Sequence, residues 1–306
     1  MVGETVIARS MRPLLLLPCL LLASCATLST PDTRPLAHAR AAAQAGQLRV
    51  TVIGESIAEG GNAAPGLSWP DQWRTQLQVA IPGVTFENRA LGRRRSAEYL
   101  NAAHVGLLAE PEDFRAGYGP QVPGDRPWVV TGQTWRAATQ ATRPDLFVIG
   151  MGLNEAWLLE DTALNAEQWK ANLRAIIQDA RTWTPAPDIV LMTSILPSRE
   201  GVPGWGVIPA ERISAVAQVT REVAAQEGLE LVDVHRAWSV ALGLPDPVSG
   251  EVRGARFTER ELLGVWPGTP DGSDGGGNGY NHPTHLGSRE VIVPAFARVM
   301  GLLRPR

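Results

Sequence analysis

Apolar residues in this chain gather into short runs separated by longer stretches with helical spacing. Five runs rich in β-branched residues predict strands: 48–54 (LRVTVIG), 84–88 (VTFEN), 145–151 (DLFVIGM), 188–195 (DIVLMTSI) and 229–234 (LELVDV). Between them the spacing predicts helices over 70–80, with Pro70 near the start, over 165–181, and over 209–228, which ends at a glycine stop signal. A last helix over 289–303 carries Pro294 as a kink. Strands alternating with helices predict an α/β domain with a parallel sheet covered on both faces and right-handed crossovers. Such sheets bind ligands where the carboxyl ends of the strands emerge. Two stretches, 104–143 and 239–281, lack pattern, and unpatterned loops of that length are usually functional or mobile. With no internal repeat and no second apolar core, 48–306 reads as one domain.

Composition narrows the class. At 44% apolar and 19% charged, the chain affords a large core, and a net charge of −3 without a long basic run argues against a nucleic-acid partner. The first residues read as targeting: Arg9 and Arg12 precede PLLLLPCLLLASC, an apolar stretch too short to span a bilayer comfortably. Its end, Leu22-Ala23-Ser24-Cys25, resembles a bacterial lipobox. That resemblance implies a signal peptide over 1–24, lipidation of Cys25 and an exported, membrane-anchored protein. Ala26 leans towards the outer membrane, and an ordinary secretory signal with an incidental Cys25 is the alternative. Cys19 and Cys25 are the only cysteines, so the domain itself holds no thiol. The small, polar residues of 25–47 read as a flexible tether.

Candidate chemistry sits just past the strands. The first is followed by Gly54-Glu55-Ser56, the second by Asn88 and then Gly92 within NRALGRRRS, and the third by Gly152-Leu153-Asn154-Glu155. His282 stands in NHPTHLG, just before the last helix. Taken together these blocks resemble the SGNH (GDSL-type) hydrolase family, which carries Gly-Asp-Ser, Gly, Gly-x-Asn-Asp and Asp-x-x-His-Pro in that order. The match runs over 48–303. It implies a three-layer α/β/α, flavodoxin-like fold with a five-stranded parallel sheet, and a serine esterase forming an acyl-enzyme. Ser56 would be the nucleophile and His282 its base, because a hydroxyl reacts only once its proton is taken and imidazole titrates near neutral pH. Activity would then rise through about pH 6–7. The Ser56 and Gly92 N–H groups and the Asn154 amide would form the oxyanion hole. Alternatives stand beside each role: Ser56 as a helix cap, Gly92 as a turn glycine with Arg93 supplying the N–H, Asn154 as a left-handed turn residue, and His285 in place of His282.

Three positions depart from the family pattern. Glu55 and Glu155 replace aspartates that support turns, a change that should be tolerable. Gly279 stands where the family has its triad aspartate. Asp274 or Asp271, Asn278, Asn281 or a backbone carbonyl could orient His282 instead. Ten Trp against five Phe and three Tyr is unusual. Trp69, Trp73, Trp128, Trp135, Trp157, Trp205 and Trp266 fall in or near loops that could rim the site, although half or more should pack the core. Indoles at the rim would suit an O-acyl, and specifically O-acetyl, carbohydrate. Arg93, Arg94 and Arg95 could attract an acidic substrate or form a solvated face. A lysophospholipase-type lipid esterase, an acyltransferase and a non-catalytic glycan-binding protein are the competing readings. No metal or other cofactor is expected, since no ligand motif is present.

Overall fold

Five parallel strands form one sheet: β1 (Arg49–Gly54), β2 (Thr85–Asn88), β3 (Leu146–Gly150), β4 (Asp188–Met192) and β5 (Glu230–Val232), in the spatial order β2-β1-β3-β4-β5. The computed structural model describes residues 35–61, 63–92, 94–101, 133–158, 162–199, 208–264 and 281–304. The strand centres match the apolar runs, and each strand is shorter than its run because pairing stops before apolarity does. Strands β1 and β3 are almost wholly buried, as strands covered on both faces must be.

The helices are α1 (Ala37–Gln44), α2 (Ser56–Glu59), α3 (Trp69–Ala80), α4 (Ser96–Leu100), α5 (Trp135–Gln140), α6 (Leu153–Leu158), α7 (Thr162–Arg181), α8 (Ala210–Glu227), α9 (Val234–Ala241) and α10 (Glu259–Leu263). A closing helical segment follows, broken by a wide π-type turn over Ser288–Ile292 ahead of Pro294. Contacts sort the helices into two layers. One holds α4 to α8, and the other holds α1, α2, α3, α9, α10 and the closing segment. Local chemistry bounds two of these helices: Ser68 caps α3 by accepting from Asp71 N–H, Pro70 fills its first turn, and Gly228, at φ 66°, ends α8.

Two expectations need correction. Residues 37–44 lie inside the stretch that composition reads as tether, yet they form α1. The small faces of Ala39 and Ala43 are buried, the Ala39 N–H donates to Asp188 (2.8 Å), and His38 meets Asp145 (3.1 Å). Small residues look featureless in composition but pack closely at the amino end of β4. The pattern-poor stretch 104–143 likewise contains α5, whose Trp135 is fully buried, and 239–281 contains α10.

Candidate active site

The strand order reverses direction between β1 and β3, the position at which sheets of this kind bind ligands beyond the strands' carboxyl ends. Both strands end in glycine, Gly54 paired with Gly150. A Cβ on Gly54 would lie 2.2 Å from the Gly150 carbonyl oxygen and 2.4 Å from Ala58 Cβ, so no other residue fits. The close approach lets the chain turn at once through Glu55 into α2, whose first residue is Ser56. Glu55, not Ser56, takes the cap position, and no side chain caps α2.

The Ser56 turn is pinned on three sides. Trp69 Nε1 donates to the Ile57 carbonyl (2.9 Å), Asn88 Nδ2 to the Ala58 carbonyl (2.9 Å), and Gly61 N–H to the Ser56 carbonyl (2.8 Å). Trp69 is itself locked by stacking on Phe296 at 5.2 Å, and Trp73 lies 4.2 Å from the same ring. Burying a large apolar side chain of this kind contributes roughly 1.5–3 kcal/mol, so the turn is anchored in the core through Trp69.

His282 reaches the same turn from the other end of the chain. A Cβ on Gly61 would stand 3.0 Å from His282 Nε2 and 3.1 Å from the Ser56 carbonyl oxygen. The imidazole therefore lies against the backbone that carries Ser56, and Gly61 is what makes room for it. Behind it, Thr284 donates to the Glu261 carbonyl (2.8 Å) and caps the short helix His285–Gly287, which fixes the loop to α10. His285 falls on that helix, away from this contact. Burial pushes the His282 imidazole down to about 4, which keeps it neutral and able to accept a proton across the neutral range.

The third strand delivers Asn154 through Gly152, whose φ of 135° only glycine adopts readily. Asn154 itself sits in the first turn of α6, 3% exposed, so it is not a left-handed turn residue. Its Nδ2 donates to the Arg94 carbonyl (2.9 Å), and since an amide carries two N–H donors, a second remains for a ligand. Gly92 is buried on the loop that follows β2, and the Leu91 N–H beside it donates to the Gly54 carbonyl (2.9 Å). Ser56, Gly92, Asn154 and His282 thus occupy one end of the sheet, on loops tied to one another.

Two buried carboxyls lie beneath these loops. Glu55 Oε1 accepts from Leu153 N–H (3.2 Å), and Glu155 Oε1 from Ser96 N–H (2.6 Å). Burial, reinforced by the Glu155 charge, pushes Glu55 up to about 8, and burial raises Glu155 as well. Among the described residues no three His, Cys, Asp or Glu side chains gather as a metal site.

Several sequence expectations change here. Trp69, Trp73 and Trp135 are core residues with no exposed surface, and Trp157 is half-buried on α6. Arg94 is 4% exposed and Arg95 pairs with Glu98, so this part of the arginine run is no solvated face. Cys25, Arg93, Trp128, Trp205, Trp266, Asp271, Asp274, Asn278 and Gly279 lie outside the described residues. Spacing alone missed Gly61 and the anchoring roles of Trp69 and Asn88. A second glycine beside Gly60, directly after the serine turn, was the available signal.

Among solved structures, the chain is similar to LAE5, an α/β hydrolase enzyme from the metagenome of Lake Arreo, at 18% identity and a TM-score of 0.50 over 84% of this chain and 97% of that one. It is also similar to Axe2, an acetylxylan esterase from Geobacillus stearothermophilus, at 18% identity and a TM-score of 0.47 over 85% and 97%. No curated protein matches it in sequence. The family model of GDSL-like lipases and acylhydrolases matches residues 52–289, from the middle of β1 to past His282, and the chain belongs to that family of ester-hydrolysing serine hydrolases.

Proposed function

We propose that this acylhydrolase removes a short O-acyl group, specifically O-acetyl, from a carbohydrate by a serine acyl-enzyme route. The observation that carries the reading is the placement of the His282 ring against the Ser56 turn, with Asn154 tied to the neighbouring loop. In this scheme His282 Nε2 takes the Ser56 hydroxyl proton as Oγ attacks the ester carbonyl, then returns it to the leaving alkoxide. Water repeats the sequence to free the acid and restore Ser56. The Ser56 and Gly92 N–H groups and the Asn154 amide meet the charge on the tetrahedral oxygen, where one donor is typically worth ~3–4 kcal/mol. A short acyl group is favoured because the apolar neighbours Ile57, Leu91 and Leu153 are already committed to the core. A sugar is favoured by the half-buried indole of Trp157, three residues past Asn154, since an indole offers a flat face to pyranose C–H groups. We further propose export as a lipoprotein through Cys25, on the strength of the charged start, the apolar run and the small residues ahead of that cysteine.

The test uses the full chain in detergent with p-nitrophenyl acetate. Ser56→Ala should lower kcat by at least ~100-fold without changing the melting temperature, and equal rates would remove the serine mechanism. Faster cleavage of long-chain lysophospholipid than of an acetylated oligosaccharide would overturn the substrate. Retention of palmitate label by a Cys25→Ser variant would overturn the anchor.

A further inference from the structure

Both Glu-for-Asp departures in the family blocks meet in one place. Glu55 is 1% exposed and Glu155 2%. Each uses one carboxyl oxygen to hold a backbone N–H of a different loop, at Leu153 and at Ser96. Each leaves its other oxygen, Oε2, buried and without a partner among the described residues. The three loops are thereby linked in a ring. Glu55 runs from the serine turn to the residue before Asn154. Glu155, the residue after Asn154, runs to Ser96. Asn154 itself donates to Arg94, two residues before Ser96.

We propose that Glu55 and Glu155 are positioning residues for the oxyanion amide, two buried carboxyl groups that hold Asn154 from both sides, with Glu55 uncharged when the site works. The inference rests on Asn154 serving the oxyanion, as in the reading above. An uncharged Glu55 follows from the surroundings. The charged group facing it is another carboxylate, Glu155 on α6. Glu155 in turn faces Glu98 on α4. On the adjoining loop Arg95 is drawn to Glu98, and Arg94 is buried beside the carbonyl that Asn154 holds. Function gives the second reason. Glu55 precedes Ser56, so an ionised carboxylate there would place a negative charge beside the donors that must receive the developing oxyanion. A neutral carboxyl keeps the hydrogen bond to Leu153 without that opposing field, whereas an aspartate side chain would stop one methylene short.

The experiment compares Glu55→Gln, an isostere of the neutral acid, with Glu55→Ala and wild type. With the uncatalysed rate subtracted, wild-type kcat should fall at least about fivefold between pH 7 and 9.5 with KM within about twofold, and Glu55→Gln should abolish most of that fall. Glu55→Ala should lower kcat at pH 7 about tenfold relative to Glu55→Gln, because it loses the Leu153 brace. The same alkaline fall in Glu55→Gln, or equal kcat for Gln and Ala, overturns the proposal. Melting curves supply an arm independent of turnover. An acid whose folded-state pKa is raised loses its stabilising contribution as pH climbs to that value, here about 8. Wild type should therefore lose about 3 °C or more between pH 6.5 and 8 relative to Glu55→Gln, and parallel curves would also overturn the proposal. If Ser56→Ala keeps full turnover, the serine reading fails, and the melting curves still decide whether Glu55 is held neutral.

Discussion

The two ends of the sheet treat buried carboxyl groups in opposite ways. At the amino end Asp145, 3% exposed, accepts from the Arg49 backbone N–H (2.8 Å) and side chain (2.7 Å) and meets His38. Burial alone would raise its pKa, but the Arg49 hydrogen bonds and charge, with His38, hold it below the usual range. At the carboxyl end burial and then the like charge of Glu155 outweigh the backbone N–H groups near Glu55, and it rises to about 8. The same physics therefore stabilises one ion and neutralises the other. Where the chain gains cohesion the carboxylate is matched, and where it forms its site the carboxyl is left under-paired.

Substitutions at the two ends should separate cleanly. Asn154→Ala should reduce kcat by about 10²–10³-fold while leaving the melting temperature within a few degrees, and a large loss of stability with intact turnover would erase the contrast. Asp145→Ala should do the reverse. Removing the partner of the Arg49 backbone N–H, the Arg49 guanidinium and the His38 ring should cost about 2–3 kcal/mol, a figure reduced because Arg49 and His38 are partly exposed. Chemical denaturation should register that loss with kcat unchanged below the transition. Gly61→Ala should lower kcat about tenfold, since its methyl group would press on the His282 ring, and a wild-type rate would show that the ring has room to retreat.

The smallest effect is a displaced pH limb. With His282 lowered to about 4, activity should fall only below about pH 5, rather than through pH 6–7 as an unperturbed imidazole implies. A limb at pH 6–7 would instead point to a carboxylate at Nδ1. Stability follows the same sign. His282 and His235 both lie near 4 when folded, lowered first by burial, so the unfolded chain takes up their protons first. Their contribution is intact above about pH 6.5 and shrinks as pH drops towards 4, which denaturant midpoints at pH 7 and pH 5 should register.

The sheet was legible because β1 and β3 are buried on both faces and write unbroken apolar runs into the chain. The Ser56 and Asn154 blocks were legible because each follows a strand at a turn that demands glycine, Gly54 after β1 and Gly152 after β3. Helix α1 was not, since its small alanines read by composition as tether and Ala39 and Ala43 owe their burial to partners far along the chain. The tryptophans misled for a related reason. Trp69 and Trp73 begin a helix after a loop, but Phe296, more than 200 residues later, draws them into the interior. Glu55 and Glu155 looked like harmless lengthened aspartates, because spacing along one chain does not reveal that two distant carboxyls share a dry compartment.

Helix α1 has one more implication. It lies at the end of the sheet where the strands begin and packs on Ala297–Leu303, separated from Ser56 by the length of β1, roughly 17 Å. A resin or partner domain attached ahead of Pro35 would thus grip the molecule by its heel, at the end of the sheet opposite Ser56. Trimming the chain back to residue 48 would pull out that heel and leave Asp188 facing water.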